Sequence, residues 1–339
     1  MKHFDYYSNT ELIDNCSDID ALLKLKKPTI FKIKGKDNSK AVLISVLLHG
    51  SEPCGFRAIL REINEHKQEY NLDVYFLVGN VNAAKIKPYF TNRLYPEGEN
   101  FNRIWIEEPK TEDEKIAHSI YEFLENLPLI AVLDLHSFTA KNNAPHCILS
   151  YDDEQTLGLA RNMVQNILLM DLSAGALIQK TGKEIPSIVL ECGTNQTKEA
   201  DNLAFESLQK FFIKTNTKEG TITNLPSKLL SECFNIKIKK ESSITWSDKK
   251  DETKEITLRK DIEQLNLMEI QPTDFLGWTN NLDHLILKNK NGTIAPKKLF
   301  ELEEGKITLR DKAILNLLST SEFIIKESGF YLFKKITTI

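Results

Sequence analysis

Two histidines and a glutamate of this chain could together bind a zinc ion. His49 and Glu52 enclose the segment HGSE directly after one apolar run, and His136 ends the segment DLH directly after another. Imidazole nitrogen and carboxylate oxygen are good zinc donors, and catalytic zinc has three protein ligands with a fourth position for water. Each histidine taken alone is more often a hydrogen-bonded structural residue, so position in the fold must decide between the two interpretations.

Three apolar runs place these residues at one edge of a predicted sheet. Ala41–Leu48, Ile130–Leu135 and Ile188–Leu190 have the continuous apolar character of buried parallel strands. The segment HGSE follows the first run, the histidine of DLH follows the second, and Glu191 follows the third. In open α/β sheets, ligands bind outside the carboxyl ends of the strands. We therefore predict that these four groups form one metal-dependent catalytic site.

Glu191 leaves an apolar strand as a carboxylate. A buried carboxylate without a partner is costly, which favours a functional reason for its position. Such a group could take a proton from zinc-bound water and deliver it to the leaving nitrogen of an amide. The alternative is an ordinary surface glutamate at the end of a strand.

Polar residues between the two metal motifs could anchor a substrate. The chain carries Asn92 and Arg93, and then the segment NFNR, which contains Asn102 and Arg103. Arginine is the usual partner of a carboxylate because its planar fork makes two parallel hydrogen bonds. Composition alone favours an ordinary solvated loop, so the substrate-binding role is a hypothesis.

The order of these motifs resembles the succinylglutamate desuccinylase and aspartoacylase family, within the wider zinc carboxypeptidase fold. That family carries HGxE, NPxA, a lone arginine, DxNR, DLH and a late glutamate on a strand. Across roughly residues 40–195, this chain presents the corresponding segments in the same order: His49-Gly50-Ser51-Glu52, Asn80-Val81-Asn82-Ala83, Arg93, Asn100-Phe101-Asn102-Arg103, Asp134-Leu135-His136 and Glu191-Cys192-Gly193.

The resemblance implies a role for each matched position. The two histidines and the glutamate of HGSE and DLH would bind one zinc ion per chain, and Glu191 would be the catalytic carboxylate. Arg93 would polarise the scissile carbonyl and stabilise the oxyanion, while Asn102 and Arg103 would hold a substrate carboxylate.

Two positions depart from the family pattern. Val81 stands where the family has proline, and Asn100 stands where it has the aspartate of DxNR. The second departure concerns the geometry of the loop and leaves the metal motifs intact.

Secondary-structure signals divide the chain into two parts. In the first two-thirds, apolar runs alternate with helical stretches, including one that Thr111 could cap and another over Glu154–Leu169. This alternation predicts an α/β fold with a mixed, largely parallel sheet flanked by helices. After about Gly220, short alternating segments predict a smaller, mostly β domain. We therefore predict a zinc hydrolase catalytic domain at residues 1–218 and a mostly β C-terminal domain at residues 219–339.

Composition argues against several classes of protein. The net charge is −4, with 41% apolar and 27% charged residues, which is a globular balance without the basic excess of a nucleic-acid binder. The sequence has no apolar run of membrane-spanning length, and its first residues, which include acidic side chains and no apolar stretch, do not resemble a secretory signal. The five cysteines are scattered and form no CxxC pair, which argues against a disulfide framework. We expect a cytoplasmic protein with no nucleic-acid or membrane partner, and the sequence leaves a homo-oligomer open.

Three functions remain open at this point. The first is a deacylase that cleaves the amide of an N-acyl amino acid, with zinc-bound water as nucleophile and Glu191 as general base and acid. The second is a zinc metallocarboxypeptidase that removes a residue from a short peptide bearing a terminal carboxylate. The third is an inactive metal-binding module. The joint presence of the metal motifs, Glu191 and Arg93 favours an enzyme over the third.

Overall fold

A computed structural model of the chain describes residues 3–65, 69–140, 144–222 and 225–339. Within them, the α-helices are α1 (Asp18–Lys24), α2 (Cys54–Glu65), α3 (Val81–Ala84), α4 (Glu112–Glu125), α5 (Glu154–Ala160), α6 (Leu177–Thr181), α7 (Lys198–Lys214) and α8 (Glu322–Glu327). The strands are β1 (Asp5–Tyr7), β2 (Thr29–Ile33), β3 (Asp37–Val46), β4 (Leu72–Val78), β5 (Leu129–Phe138), β6 (His146–Leu149), β7 (Asn166–Leu169), β8 (Ser187–Thr194), β9 (Lys228–Ile238), β10 (Ile244–Ser247), β11 (Ile256–Arg259), β12 (Glu269–Ile270), β13 (Gly277–Thr279), β14 (Leu285–Asn289), β15 (Gly292–Ile294), β16 (Phe300–Glu303), β17 (Lys306–Leu309), β18 (Ala313–Asn316) and β19 (Phe330–Thr338). Short 3-10 helices lie at Ile262–Leu265, Leu282–His284 and Pro296–Lys298.

The first of two compact units comprises Met1–Phe138, Pro145–Ile167 and Ser173–Ser227. Its sheet has the strand order β1-β2-β4-β3-β5-β8-β6. The four central strands β4, β3, β5 and β8 run parallel, whereas β2 and β6 are antiparallel to their neighbours β4 and β8. The prediction of an α/β fold with a mixed, largely parallel sheet is therefore confirmed.

Burial of the central strands explains their apolar sequences. All seven residues of β4 are buried, as are the last six residues of β3. A strand with both faces covered cannot alternate apolar and polar residues, so it appears in the sequence as an unbroken apolar run. Asp73 is the charged residue within β4, and its carboxylate is paired with the Lys32 ammonium at 2.6 Å.

The helices of this unit begin and end largely where their capping residues predict. Thr111 caps α4 through a capping box with Glu114, as the sequence indicated. The expected helix over Glu154–Leu169 is wrong in its second half, because α5 ends at Ala160 and β7 follows. The Asn162 amide donates to the Gly158 carbonyl, which closes the end of α5.

A buried ion pair links α2 to the segment after α7. The Lys218 ammonium lies 2.5 Å from the Glu62 carboxylate, and both side chains are buried. The remaining Glu62 oxygen accepts from the Gln209 amide at 2.7 Å, and the Tyr70 hydroxyl also donates to Glu62. Every oxygen of this buried carboxylate therefore has a partner, as burial of a charge requires.

We expect Lys218→Met to lower the free energy of unfolding by about 3 kcal/mol, because it leaves the Glu62 charge buried without its counterion. Urea denaturation followed by circular dichroism measures this change. Lys214→Met is the matched control, since Lys214 is exposed at the end of α7 and its loss should change stability by less than about 0.5 kcal/mol. Equal stability of the two variants would contradict the importance of the pair.

The second compact unit comprises Thr139–Ala144, Leu168–Leu172 and Lys228–Ile339, and it is rich in strands. One antiparallel group has the order β14-β9-β19-β18-β12, with β15 paired to β14. A five-stranded sheet has the order β10-β11-β13-β17-β16. Apolar side chains from these strands form one buried cluster. The expectation of a β-rich C-terminal region is confirmed, and the assignment of residues 1–218 and 219–339 to separate domains stays a proposal.

Among the described helices, none combines the length and apolar character that crossing a membrane requires.

Candidate metal centre and active site

The three predicted metal ligands lie at the carboxyl ends of two neighbouring strands. β3 ends just before the turn that carries His49 and Glu52, and α2 begins just after it. His136 lies near the end of β5, which is parallel and adjacent to β3. Parallel neighbours end at the same edge of a sheet, so a turn after β3 and a residue late in β5 can meet.

Gly50 lets this turn lie against α3. A Cβ atom at Gly50 would lie 2.4 Å from the Ala84 nitrogen and 2.7 Å from the Ala83 carbonyl carbon. These distances are too short for a side chain at this position, so only glycine fits. Asn80 caps α3 by accepting from the Ala83 N–H at 3.1 Å. The segments HGSE and NVNA are therefore packed together, which gives a structural reason for their joint presence.

The ligand atoms of His49, Glu52 and His136 converge. All three residues are buried, at 4% exposure or less, and one donor atom from each lies within 4.8 Å of the others. The Nδ1 atom of His49 is 2.9 Å from one Glu52 oxygen, and the Nδ1 atom of His136 is 2.7 Å from the other. Among the described residues, this is the group that could hold a metal ion.

The Nε2 atom of each histidine forms a hydrogen bond with a side-chain oxygen. Asn100 Oδ1 lies 3.0 Å from the Nε2 of His49, and Asp134 Oδ2 lies 2.9 Å from the Nε2 of His136. An acceptor on one ring nitrogen fixes the tautomer and directs the other nitrogen to the metal. Both Nδ1 atoms are therefore the atoms available for a cation.

The charges around the site act on its titratable groups in opposite directions. Burial, with the nearby Arg93 charge, lowers the pKa of His49 to about 4, so this imidazole is neutral. Burial opposes ionisation of Glu52, but the positive charge of Arg93 and the hydrogen bond from His136 prevail and hold the pKa of this carboxyl well below its usual value. Burial also opposes protonation of His136, yet Asp134 and Glu52 together raise the pKa of His136.

These residues fit a zinc ion. A neutral His49 with its proton on Nε2 has a bare Nδ1, which has no hydrogen-bond partner among the described residues. This lone pair lies beside the ionised Glu52 carboxylate. Two electron-rich atoms at 2.9 Å repel each other unless a cation lies between them, and two imidazoles with one carboxylate are a known ligand set of catalytic zinc.

Arg93 contacts the metal motif directly. Its guanidinium donates from one terminal nitrogen to Glu52 Oε1 at 2.5 Å, and its carbonyl accepts from the Gly50 N–H at 3.1 Å. The Nε atom is buried and has no hydrogen-bond partner among the residues that the structure describes. The structure thus brings the predicted arginine to the predicted ligands and leaves its Nε–H without a partner among the described residues.

Glu191 lies on the same face of the sheet as His136. The two residues are opposite each other in the parallel pair β5–β8, and His146 of β6 is opposite Glu191 on the other side. Opposite residues of adjacent strands project from the same face. Burial raises the pKa of Glu191 to about 7, and its Oε2 atom has no hydrogen-bond partner among the described residues.

Asn102 and Arg103, the predicted substrate-binding residues, lie in a segment that contacts His136. The Asn102 amide nitrogen is 3.4 Å from the Nε2 atom of His136, and its oxygen accepts from the Leu177 N–H at 3.0 Å. The Arg103 guanidinium donates to the Asn102 carbonyl at 2.7 Å. Asn102 is therefore brought to the metal ligands, while the role of both residues toward a substrate stays a prediction.

Sequence reasoning did not assign a role to the residues that support the ligands. Asp134 could have been found, because it lies two positions before His136 in a strand and so shares its face. The position of His146 opposite Glu191 depends on the antiparallel placement of β6, which no local sequence signal indicates. The contact between Asn100 and His49 joins residues 51 positions apart and has no local signal.

Comparison with known proteins supports the fold. The sequence matches no protein-family model and no curated protein. Among solved structures, a succinylglutamate desuccinylase/aspartoacylase from Rhodobacter sphaeroides matches with a TM-score of 0.59 and 13% identity, over 91% of this chain and 89% of that chain. A succinylglutamate desuccinylase from Vibrio cholerae matches with a TM-score of 0.58 and 12% identity, over 97% and 96%. The product-bound ectoine utilization protein EutE (DoeB) from Ruegeria pomeroyi matches with a TM-score of 0.56 and 13% identity, over 85% and 82%. The chain therefore has the fold that the motif resemblance implied.

Proposed function

We propose that this chain, which has the fold of the succinylglutamate desuccinylase/aspartoacylase structures, is a zinc-dependent hydrolase that cleaves the amide bond of an N-acyl amino acid. One zinc ion per chain would be held by His49, Glu52 and His136. The substrate would be a small molecule with a carboxylate, and the protein would act in the cytoplasm.

The observation that carries this proposal is the arrangement of buried groups without partners. His49 Nδ1 faces the Glu52 carboxylate, and Glu191 Oε2 has no partner among the described residues, on the face of the sheet that carries His136. Buried polar atoms without partners are costly and are rare in folded proteins. A metal ion and a reacting water would satisfy both groups.

A zinc ion at this site would act as a Lewis acid that acidifies water and polarises a carbonyl group. Glu191 would take the proton of the attacking water and deliver it to the leaving nitrogen. A carboxyl group with a pKa near 7 can both accept and donate a proton at neutral pH. Its burial therefore suits the role of general base and acid.

Two arginines would stabilise the two negatively charged groups of the reaction, the oxyanion and the substrate carboxylate. Arg93 would donate to the oxyanion that develops on the scissile carbonyl, for which its Nε–H has no competing partner among the described residues. Arg103 and Asn102 would hold the substrate carboxylate. A fork of N–H donors matches a carboxylate in geometry and charge.

The test is amine release by the zinc-loaded protein from a panel of N-acyl amino acids and short peptides. We expect turnover of an N-acyl amino acid, and we expect Glu191→Gln to lower that turnover at least about 10²-fold. Turnover of peptides alone would replace the deacylase with a metallocarboxypeptidase, because the same Arg103 would then bind a terminal carboxylate. Bound zinc with no turnover of either class would favour the inactive metal-binding module.

Arg93→Gln should lower kcat by about 10²–10³-fold, because removal of one oxyanion donor typically has this effect. The KM value should change much less, since the oxyanion forms only during the reaction. Steady-state kinetics with the substrate found in the panel measures both constants. Zinc content should be measured in parallel, because Arg93 also contacts Glu52.

The matched control is Arg61→Gln. Arg61 lies on α2, is half-exposed, and pairs with Glu65 on the same helix at 2.8 Å. Its loss should leave kcat and KM unchanged. A raised KM with an unchanged kcat for Arg93→Gln would show that Arg93 binds substrate and does not stabilise the oxyanion.

A further inference from the structure

We propose that Asn100 is a positioning residue that sets the zinc affinity of the site, because it gives His49 a neutral acceptor where His136 has a carboxylate. This inference rests on the proposed function, since it concerns the same metal site. It goes beyond that proposal because it states that Asn100, which is neither a metal ligand nor a substrate-binding residue, controls the affinity for zinc.

The orientation of the Asn100 amide is fixed by the main chain. Its Oδ1 atom lies 3.0 Å from the Asn102 backbone nitrogen. A backbone N–H can only donate, so the side-chain atom that faces it must be the oxygen. The same oxygen lies 3.0 Å from the Nε2 of His49, so His49 must carry its proton there. Asn100 thus leaves the Nδ1 of His49 bare, on the side of Glu52.

The two histidines therefore have unequal partners. His49 donates to a neutral amide, whereas His136 is 2.9 Å from the fully buried Asp134 carboxylate. Hydrogen bonds to ionised acceptors are roughly twice as strong as neutral ones. An anionic acceptor also raises the basicity of the imidazole, which makes it a stronger ligand for the metal. His49 is consequently the weaker of the two imidazole ligands.

The surrounding charges give a reason for a neutral residue at this position. Carboxylates at Glu52, Asp134 and Glu191 already lie around the site, and Arg93 is the arginine that contacts it. A further buried carboxylate at position 100 would raise the electrostatic cost of folding without metal. With a metal bound, the same carboxylate would be compensated. Asn100 therefore favours the metal-free fold at the expense of metal affinity.

The experiment compares zinc affinities of full-length variants by competition with a chelator of known affinity. We expect Asn100→Asp to bind zinc about 10-fold or more tightly, and Asp134→Asn to bind it about 10–100-fold more weakly, as changes of such partners do. Thermal melting gives a second readout: in Asn100→Asp, the metal-free protein should melt at a lower temperature and zinc should raise that temperature by more than in the parent.

Asn92→Asp is the control for charge alone. It adds the same charge beside Arg93 on a half-buried residue whose amide donates to the Thr91 hydroxyl. We expect its zinc affinity to stay within about threefold of the parent, since its charge is not on the partner of a ligand. An equal gain in Asn92→Asp and Asn100→Asp would overturn the inference, because general charge would then explain both.

The outcomes separate this inference from the proposed function. Zinc binding by the parent with no gain in Asn100→Asp overturns the role of Asn100 alone. The expected affinities without turnover of any N-acyl amino acid overturn the deacylase and leave Asn100 in its role. A parent protein that binds no zinc overturns both.

Discussion

Glu191→Gln is expected to lower turnover of the N-acyl amino acid by about 10²–10⁴-fold, which is the range that general acid–base catalysis contributes. Glutamine keeps the shape of the side chain but cannot accept a proton. Because Glu191 is not one of the three converging ligands, zinc content should stay at one ion per chain. Single-turnover kinetics together with metal analysis measures both quantities.

The pH profile gives an independent test of Glu191. A base acts only when ionised, and burial raises the pKa of Glu191 to about 7. Activity of the parent should therefore increase with pH up to about 7, and the positive charge of a bound metal would move this limb to lower pH. The residual activity of Glu191→Gln should lack the limb.

Glu184→Gln is the matched control for this substitution. Glu184 is exposed in the segment before β8, so its loss should change neither the rate nor the pH profile. Retention of more than about a tenth of the rate by Glu191→Gln would assign proton transfer to another group, since a general base contributes at least 10²-fold.

His136→Ala is expected to remove zinc from the purified protein and to abolish turnover. His136 supplies one of three converging ligand atoms, so the loss of affinity should exceed the roughly 10–100-fold that outer partners of ligands contribute. Metal analysis after dialysis against a weak chelator measures the effect. Circular dichroism must show a folded protein, because Glu52 and Asp134 both lose a partner.

His118→Ala is the control for loss of a histidine. His118 lies on α4 and contacts Glu122 one turn later at 3.4 Å. Full zinc content and full activity are expected. Zinc retained at one ion per chain in His136→Ala would mean that the metal is held elsewhere.

The sequence predicted those features of the site that depend on strand ends. HGSE, DLH and Glu191 each follow an apolar run, and parallel strands with buried faces necessarily present their carboxyl ends at one edge. The convergence of the ligands and their proximity to Arg93 follow from that edge and from the order of the motifs. The half-buried position of Glu191 follows from the buried strand residues that precede it.

Features that depend on contacts between distant segments were not predicted. The Asn100 side chain reaches His49 because its own loop turns back onto the site, and only long-range packing determines that path. The helix over Glu154–Leu169 was predicted too long, because the apolar residues of Asn166–Leu169 fit a helix or a strand equally well. In the C-terminal part, alternation indicated short strands, but their order depends on pairing that local sequence does not encode.

The most direct measurement is a zinc titration of the metal-free protein with an N-acyl amino acid as substrate. The protein is stripped with a chelator, zinc is added in substoichiometric steps, and amine release is followed at each step. We expect no turnover without metal, a linear increase with added zinc, and a plateau at one ion per chain. Full turnover by the stripped protein would contradict a zinc-dependent deacylase. So would binding of one zinc ion per chain with no amine released from any substrate in the panel.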